Sequence, residues 1–307
     1  MRDIIESVVN EVGRVLLGKE EKIKLAVACM LSDGHLLIED LPGMGKTTLS
    51  QALAKVFGLQ YQRIQFTSDM LPADIIGFSI FDAQKNQFTF HPGPVFTQVL
   101  LADEINRTTP KTQSALLEAM EERQITVEGE TRKLAQPFFV IATQNPQSQM
   151  GTYPLPESQL DRFLMRVSLG YPDEQAEKQL FMGGDPRRLL DQLKVCITSE
   201  QLMSIKTGIA NIKTSESLVA YLQRLVHLTR TDSDFAYGLS PRGAMALLRV
   251  AKTWAFMHGR AYVVPEDIQT LLPVVVAHRV APTSSSQEQA RHPLILKLLM
   301  TVDIIPE

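Results

Sequence analysis

A short apolar run that leads straight into a glycine loop constrains the fold of this chain more than any other feature. The run HLLIED occupies residues 35–40, and the loop PGMGKTT follows at residues 42–48. Apolar residues then recur at the spacing of one helix face as far as Gly58. A buried strand, a glycine loop and a helix, in that order, are the context of a phosphate-binding loop. We therefore predict that the chain binds the phosphates of a nucleotide.

The loop supplies most of a nucleotide-binding pattern but lacks its first glycine. The usual form is G-x-x-x-x-G-K-[ST], and Asp40 stands where that glycine would fall. In such loops the backbone N–H groups surround the phosphates, the lysine reaches the β- and γ-phosphates, and the threonine hydroxyl binds Mg²⁺. The sequence therefore predicts ATP or ADP with Mg²⁺ as the ligand, and Thr47 as a metal ligand. The predicted binding residues of the loop are Pro42, Gly43, Met44, Gly45, Lys46, Thr47 and Thr48.

A second apolar strand, VLLADE, ends in the two carboxylates Asp103 and Glu104. Alone, such a strand end is common in proteins that bind no nucleotide. Here it follows Lys46 with one predicted strand between them, which is the arrangement of a Walker B motif. Asp103 is predicted to bind Mg²⁺, directly or through water, and Glu104 to polarise the water that attacks the γ-phosphate.

Polar residues farther along the chain are candidates for the same hydrolytic site. Asn145 ends the strand FVIATQN, where it can orient the attacking water, although an asparagine before proline also forms turns. Arg162 is badly placed for its own site but well placed to reach a neighbouring subunit, and Arg166 is its rival. Arg242 lies in the first turn of a helix that Ser240 can cap, where a bound anion would account for a cation. An ordinary surface position is the alternative for each arginine.

Strand and helix signals alternate up to residue 172 and then give way to helices. Beyond the first strand, strands are predicted in YQRIQF, QVLLADE, FFVIATQN and FLMRVSL, and helical stretches separate several of them. This alternation predicts an α/β fold with a mainly parallel sheet and helices on both faces. FSIFDAQKNQFTFHPGP and QITVEGETRKL are predicted as β-hairpins inserted into that core. We place an α/β nucleotide-binding core at residues 1–172 and a smaller all-α domain at residues 173–307.

Composition narrows the class of protein further. The 307 residues carry 31 basic and 34 acidic side chains, and this net charge of −3 does not favour a mainly electrostatic nucleic-acid binder. No apolar run approaches the roughly 20 residues of a membrane-spanning helix, and the N-terminus lacks the pattern of a signal peptide. Two cysteines far apart in apolar contexts are typical of reduced, buried thiols. We expect a soluble, cytoplasmic protein without membrane insertion.

Four blocks of the chain, taken together, resemble the MoxR family of AAA+ ATPases: IEDLPGMGKTTL, LLADEINRTTPKTQSALLEAMEERQITV, FFVIATQNPQSQMGTYPLPESQLDRFLMR and GLSPRGAMALLR. The resemblance implies an AAA+ core with a five-stranded parallel sheet and a helical lid. It also implies roles for Asn145 as sensor 1, Arg162 as the arginine finger and Arg242 as sensor 2. The segment VLLGKEE, with Gly18 and Lys19, is similar to the one that lines the adenine pocket.

The resemblance further implies an activity and partners. Members of the family commonly carry a residue other than glycine at the position of Asp40, so nucleotide binding is expected. Such proteins usually assemble as hexameric rings and act as ATP-dependent chaperones that remodel, mature or activate client proteins. They often work with a partner that carries a von Willebrand factor A domain. The alternatives are an AAA+ motor or loader acting on nucleic acid, and a magnesium-chelatase-like subunit, since related proteins of both kinds share the two hairpin inserts. The net charge argues weakly against the motor.

Overall fold

Five strands form a central sheet in which every pairing is parallel, as the sequence predicts. The computed structural model describes residues 2–84, 86–145, 151–183, 186–283 and 287–304. The strands are β1 (Leu36–Glu39), β2 (Tyr61–Gln65), β3 (Gly77–Asp82), β4 (Gln87–Pro92), β5 (Val99–Asp103), β6 (Gln124–Val127), β7 (Glu130–Lys133), β8 (Phe139–Gln144), β9 (Met165–Val167), β10 (Phe235–Tyr237) and β11 (Ala281–Pro282). The helices are α1 (Arg2–Gly13), α2 (Glu20–Leu31), α3 (Lys46–Val56), α4 (Pro72–Ile76), α5 (Pro110–Glu122), α6 (Glu157–Leu160), α7 (Glu174–Gly183), α8 (Pro186–Leu190), α9 (Ser199–Ala210), α10 (Glu216–Thr231), α11 (Pro241–Met257), α12 (Pro265–Val275) and α13 (Gln287–Thr301).

The strand order of the central sheet is β2-β5-β8-β1-β9. β1 therefore lies between β8 and β9, and the glycine loop leaves β1 at the edge where all five strands have their carboxyl ends. Ala102 of β5 pairs with Ala142 of β8, so the polar residues that follow these two strands emerge side by side. Ligands of open α/β sheets bind at this edge, where the order of the strands reverses. The topology thus brings the predicted motifs to one place.

Alternate residues of the central strands face two different layers. Ile38 and Leu101 belong to a buried cluster that includes side chains of α1, α2 and α3, whereas Leu37 and Leu100 belong to a second cluster with α5. Every residue of β5 and β8 is buried. Strands with packed layers on both faces have nearly continuous apolar sequences, which is why these strands are predicted clearly from the sequence.

Both predicted hairpins are confirmed. β3 pairs with β4, and β6 pairs with β7, each antiparallel and outside the central sheet. The second hairpin turns at Glu128 and Gly129, which have φ angles of 54° and 81°, and this pair of left-handed residues suits a tight two-residue turn. The guanidinium carbon of Arg132 lies 4.1 Å from the ring centre of Phe90, so the two hairpins contact each other.

After Val167 the described elements are helices, apart from a two-stranded antiparallel ribbon, β10–β11, which the sequence did not predict. Helix α11 packs on α2 and α12, and Val250 of α11 belongs to the same buried cluster as Ile23 of α2. The helical part and the sheet therefore share a continuous core, and the boundary at residue 172 stays a prediction. No helix in the described residues is both long and apolar enough to cross a membrane.

Candidate nucleotide site

The carboxyl edge of the sheet holds a cavity of about 890 Å³. The glycine loop forms one wall, and the ends of β5 and β8 form another. Of the residues predicted from the sequence, those that line this cavity are Pro42, Gly43, Gly45, Lys46, Thr47, Thr48, Asp103, Glu104 and Asn145. The structure thus brings together the loop, the two carboxylates and the asparagine, which lie up to about a hundred residues apart in the chain.

The loop adopts a backbone that only glycine accepts easily. Gly43 and Gly45 have φ angles of 85° and 87°, and a Cβ atom on Gly45 would lie 2.6 Å from Cδ1 of Leu16. Lys46 begins α3, and its Nζ donates a hydrogen bond to the carbonyl oxygen of Asp40 at 2.8 Å. Burial lowers the pKa of Lys46, while the carboxylates around it act in the opposite direction. Asp40 can therefore stand in place of the first glycine of the pattern, because Lys46 contacts its backbone carbonyl and not its side chain.

Thr143 of β8 organises the end of β5. Its hydroxyl donates to Oδ1 of Asp103 at 2.6 Å and accepts from the backbone N–H of Glu104 at 2.8 Å. Glu104 has a φ of 56°, in the left-handed region that residues with a side chain rarely adopt. Such strain persists where the surroundings impose it, and it occurs often at functional sites. Here Thr143 supplies part of that support.

The side chain of Glu104 is held from three directions. Oε1 accepts a hydrogen bond from Nδ2 of Asn145 at 2.9 Å. Oε2 accepts from Nε2 of Gln65 at 2.9 Å, and the guanidinium of Arg107 lies 3.0 Å from the same oxygen. Asn145 is itself fixed, because its carbonyl oxygen accepts from the side chain of Asn106 at 3.1 Å. A carboxylate held at the cavity wall beside an amide is suited to accept a proton from a water molecule placed between them.

Thr47 and Asp103 offer the oxygen ligands that Mg²⁺ requires. The ion usually takes one or two carboxylates and completes its shell with phosphate oxygens and water. Within the described part of the chain, no three His, Cys, Asp or Glu side chains come together as a metal cluster. Nη2 of Arg63 lies 2.6 Å from Oδ2 of Asp103. The residues fit a magnesium ion, which would share Asp103 with Arg63.

The predicted arginines Arg162 and Arg242 lie away from this cavity. Nε of Arg162 is 3.2 Å from Oε2 of Glu121, and Nη1 of Arg242 donates to Oε1 of the same carboxylate at 2.8 Å. Both line a second cavity of about 540 Å³. Ser240 does cap α11, since its hydroxyl accepts from the backbone N–H of Gly243 at 3.0 Å. The anions beside Arg242 are therefore two carboxylates of its own chain, Glu121 and, at 3.8 Å, Asp161, and a contact between this arginine and a phosphate stays a prediction.

Arg166 differs from Arg162 in its surroundings. It lies on β9, and its Nη1 donates to Oε2 of Glu39 at 2.9 Å, at the end of the neighbouring strand β1. The side chain of Arg166 is 17% exposed, whereas that of Arg162 is 29% exposed. Arg162 is therefore the more accessible of the two side chains.

Three of the predicted nucleotide contacts lie outside the cavity. The amine of Lys19 donates to the backbone carbonyl of Tyr171, and burial lowers its pKa. A Cβ on Gly18 would lie 2.8 Å from Cβ of Ala176, so the absence of a side chain at Gly18 allows the backbone to lie close to α7. Met44 packs partly buried against the large apolar cluster. Gly18 and Lys19 instead line a smaller neighbouring pocket.

Three residues that shape the site were not predicted from the sequence. Arg63 and Gln65 lie on β2, and Thr143 lies on β8, each as a single polar residue without a motif around it. The available signal was their position: Gln65 ends a strand next to β5, and Thr143 stands one residue before the end of its strand. Polar residues at the carboxyl ends of parallel strands share one edge of the sheet, so each could have been a candidate.

Two stretches of the chain match known sequence families. Residues 35–165 match the ATPase family associated with various cellular activities (AAA), and residues 227–295 match the AAA lid domain. The first stretch contains the glycine loop and both carboxylates, and the second contains Arg242. The two matches occur in the order that the structure shows, with the sheet first and the helical part after it.

Similar proteins cover nearly the whole chain. The uncharacterised protein YeaC of Bacillus subtilis is 44% identical over 91% of this chain and 88% of its own length. Chaperone MoxR1 of Mycobacterium tuberculosis is 37% identical over 97% of this chain and 81% of its own length. A solved structure of a candidate ATPase from Cytophaga hutchinsonii is 38% identical, with a TM-score of 0.87 over 99% of this chain and 96% of that one.

Proposed function

The chain belongs to the MoxR family of AAA+ ATPases, and from that premise we propose that it hydrolyses ATP in a ring and uses the energy to remodel or activate client proteins. One observation carries the proposal of hydrolysis: Lys46, Asp103, Glu104 and Asn145 all line one cavity at the carboxyl edge of the sheet. These are the groups needed to hold phosphates, a metal ion and an attacking water.

The described residues divide the work among them. The backbone N–H groups of the loop and the start of α3 hold the phosphates, with Lys46 over the β- and γ-phosphates. Thr47 and Asp103 would hold Mg²⁺, which would supply positive charge against the charge that develops on the phosphate. Glu104 accepts the proton of the attacking water, and Asn145 keeps that water and the carboxylate aligned. Thr143 holds the backbone of Glu104 in its strained conformation.

The position of the two arginines supports a shared site between subunits. Arg162 and Arg242 converge on Glu121 and lie away from the nucleotide cavity of their own chain. A cation that stabilises the transferring phosphate must contact it. We therefore assign both arginines to the ATP of the neighbouring subunit, where the phosphate replaces Glu121 as their anionic partner. A closed ring, hexameric by family resemblance, gives every cavity such a neighbour.

Client proteins and a partner with a von Willebrand factor A domain complete the proposal. The first hairpin offers an apolar surface for such contacts, since Phe78, Ile80, Phe81 and Phe88 are all at least 46% exposed. Exposed apolar groups that cluster on one element mark interaction surfaces in soluble proteins. The ring, its client and its partner would work in the cytoplasm.

Two variants test the proposed hydrolysis. Lys46→Ala should abolish useful nucleotide binding, and Glu104→Gln should bind ATP while hydrolysing it about 10²–10⁴-fold more slowly. A fluorescent-nucleotide titration and a phosphate-release assay separate the two effects. Lys55→Ala is the matched control for charge, because Lys55 also lies on α3 and lines the cavity but donates to the carbonyl of Asp191. Turnover near the wild-type rate by Glu104→Gln would remove Glu104 from the mechanism.

A further inference from the structure

The side chain of Asp40 binds a segment far away in the sequence. Its Oδ2 accepts hydrogen bonds from the backbone N–H groups of Leu169 and Gly170, both at 2.7 Å, and from the hydroxyl of Ser168 at 3.2 Å. Asp40 is 9% exposed. A buried carboxylate is costly unless donors neutralise it, and two adjacent backbone N–H groups do so here. The glycine of the usual loop pattern could make none of these contacts.

The bound segment is the link between the sheet and the helical part. Residues 168–173 join the end of β9 to the start of α7. Lys19 holds the same link at the carbonyl of Tyr171, and Asp173 caps α7 by accepting from the backbone N–H of Ala176 at 2.7 Å. Contacts that begin at the glycine loop therefore hold the link that leads into the helical part, in addition to the core that the helical part and the sheet share.

The loop and this link meet in one residue. The carbonyl oxygen of Asp40 accepts from Lys46, and the carboxylate of Asp40 accepts from the link. Lys46 must turn toward the phosphates when a nucleotide binds, which takes its positive charge away from Asp40. The phosphates also bring negative charge to the loop that begins at this residue. When Lys46 has turned away and the phosphates are bound, the two backbone N–H donors stabilise the charge of Asp40, and a carboxylate without those donors lacks this stabilisation.

We propose that Asp40 is a positioning residue that couples occupancy of the nucleotide loop to the link at residues 168–171. Nucleotide binds more tightly to the state in which Leu169 and Gly170 donate to Asp40, because these two N–H groups offset the negative charge of the carboxylate at the start of the loop that holds the phosphates. A ligand that prefers one of two states increases the population of that state, and the effect is reciprocal. The inference rests on the proposed nucleotide binding and adds to it a path from the loop to the helical part.

Hydrogen exchange at the amides of Leu169 and Gly170 measures this coupling directly. In the wild-type protein, saturating ADP should slow exchange at both amides by roughly fivefold or more, the lower end of ordinary coupling between sites. In Asp40→Gly, which has no side-chain acceptor, both amides should exchange quickly, with and without ADP. Asp40→Gly completes the usual loop pattern, so it should still bind ADP. Slow exchange at Leu101 of β5 serves as the internal check that each variant is folded.

Glu39→Gln is the matched control. It removes one negative charge from the adjacent residue, but Glu39 contacts Gln144 and Arg166 in neighbouring strands. Its Leu169 and Gly170 amides should keep the response to ADP. An unchanged exchange rate in ADP-bound wild-type protein, or a response to ADP that survives in Asp40→Gly, would overturn the coupling alone. A wild-type protein that binds no ADP in the fluorescent titration would overturn the proposed function and the coupling together.

Discussion

Nε2 of Gln65 lies 2.9 Å from Oε2 of Glu104 and donates a hydrogen bond to it, between the carboxyl ends of the adjacent strands β2 and β5. Asn145 holds the other oxygen of the same carboxylate. Each oxygen of a carboxylate has two lone pairs, so Glu104 can accept a proton from water while both amides stay bound. A hydrogen bond to the charged carboxylate is stronger than one to the neutral acid, so each of these two contacts weakens when the proton arrives. The contact with Gln65 therefore stabilises the resting arrangement of the site.

We expect Gln65→Ala to raise the basal rate of ATP hydrolysis. A hydrogen bond to a charged group contributes about 1.5–3 kcal/mol, of which only the part lost on the way to the transition state appears in the rate. An increase of about two- to tenfold in kcat is the expected result, with little change in nucleotide affinity. Phosphate release at saturating ATP measures it.

Gln62→Ala is the control for that variant, since it removes the same amide from an exposed position of the same strand. Its kcat should equal the wild-type value. A Gln65→Ala protein with unchanged or reduced kcat would show that the hydrogen bond supports the active arrangement instead of the resting one.

The predicted residues that the structure brings together in one cavity are those carried by local patterns. Lys46 and Asp103 each follow an apolar strand, and parallel topology brings strand ends to one edge whatever the details of packing. The meeting of Arg162 and Arg242 at Glu121 could not be predicted in this way. It depends on how α11 packs beside α5, and no local pattern encodes the packing of two helices more than a hundred residues apart.

The contacts of Asp40 were unpredictable for a related reason. Its position suggested a defect in the loop, because the sequence shows only which glycine is missing. Its carboxylate finds partners in the backbone of Leu169 and Gly170, and backbone donors leave no trace in residue identity. The two-stranded ribbon β10–β11 could not be predicted because its strands are three and two residues long. Alternation of apolar and polar residues is detectable only over longer strands.

Buried His35 gives the folded chain a stability that depends on pH. Its Nδ1 accepts from the backbone N–H of Val140 at 3.0 Å, and Nε2 lies 3.2 Å from the carbonyl of Met120, so the ring is neutral. Burial lowers the pKa of His35 from 6.5 to about 4, with nearby Arg123 acting in the same direction. The unfolded chain therefore binds the proton more readily. The stabilisation is complete above about pH 6.5 and is lost as the pH falls toward 4.

Because of this histidine, we expect the free energy of unfolding to fall by about 2 kcal/mol when the pH is lowered from 7.5 to 5. Urea unfolding at the two pH values measures the loss in the wild-type protein and in His35→Gln, which should show a smaller dependence on pH. His91→Gln, at an exposed position of β4, should keep the wild-type dependence. Equal pH dependence in the wild-type and His35→Gln proteins would contradict the assignment.

We expect the first hairpin to couple ATP hydrolysis to regulation or to client proteins, and to contribute little to folding. Phe81 and Phe88 pack edge to face at 5.3 Å between ring centres, but both are at least half exposed. The fully buried residues Ile75 and Val95 flank the hairpin and belong to the core. Replacing residues 78–91 with a short Gly-Ser link should leave a folded ATPase whose regulation or response to clients is altered.

The measurements for that deletion are the thermal midpoint and the basal phosphate release. Loss of the contact between Phe90 and Arg132 should cost the deletion variant about 0.5–2 kcal/mol. The double variant Phe81→Ser, Phe88→Ser keeps the hairpin and removes its exposed rings, so it separates the apolar surface from the backbone. A deletion variant that does not fold would mean that the hairpin is part of the core.

Arg162→Ala tests the shared site between subunits. An arginine that stabilises the charge on the transferring phosphate contributes about 10³–10⁵-fold to the rate. If Arg162 serves the neighbouring ATP, the variant should bind ATP almost normally and hydrolyse it poorly, and wild-type turnover per subunit should rise steeply with protein concentration. Arg166→Ala is the matched comparison, since Arg166 is paired with Glu39 inside its own sheet, and it should lose far less activity.

Mixing Arg162→Ala with Lys46→Ala protein gives the sharpest result. Each variant is inactive alone, but a mixed ring contains interfaces where an intact loop of one subunit meets an intact Arg162 of the next. Partial activity should return after subunit exchange and should be greatest near equal amounts of the two proteins. The same mixture made with Glu104→Gln and Lys46→Ala should stay inactive, because both changes lie in the same cavity and no interface is then intact. Full activity of a strictly monomeric preparation would mean that the reaction takes place within one chain. A mixture that recovers no activity would mean that Arg162 is not the arginine that acts on the neighbouring ATP.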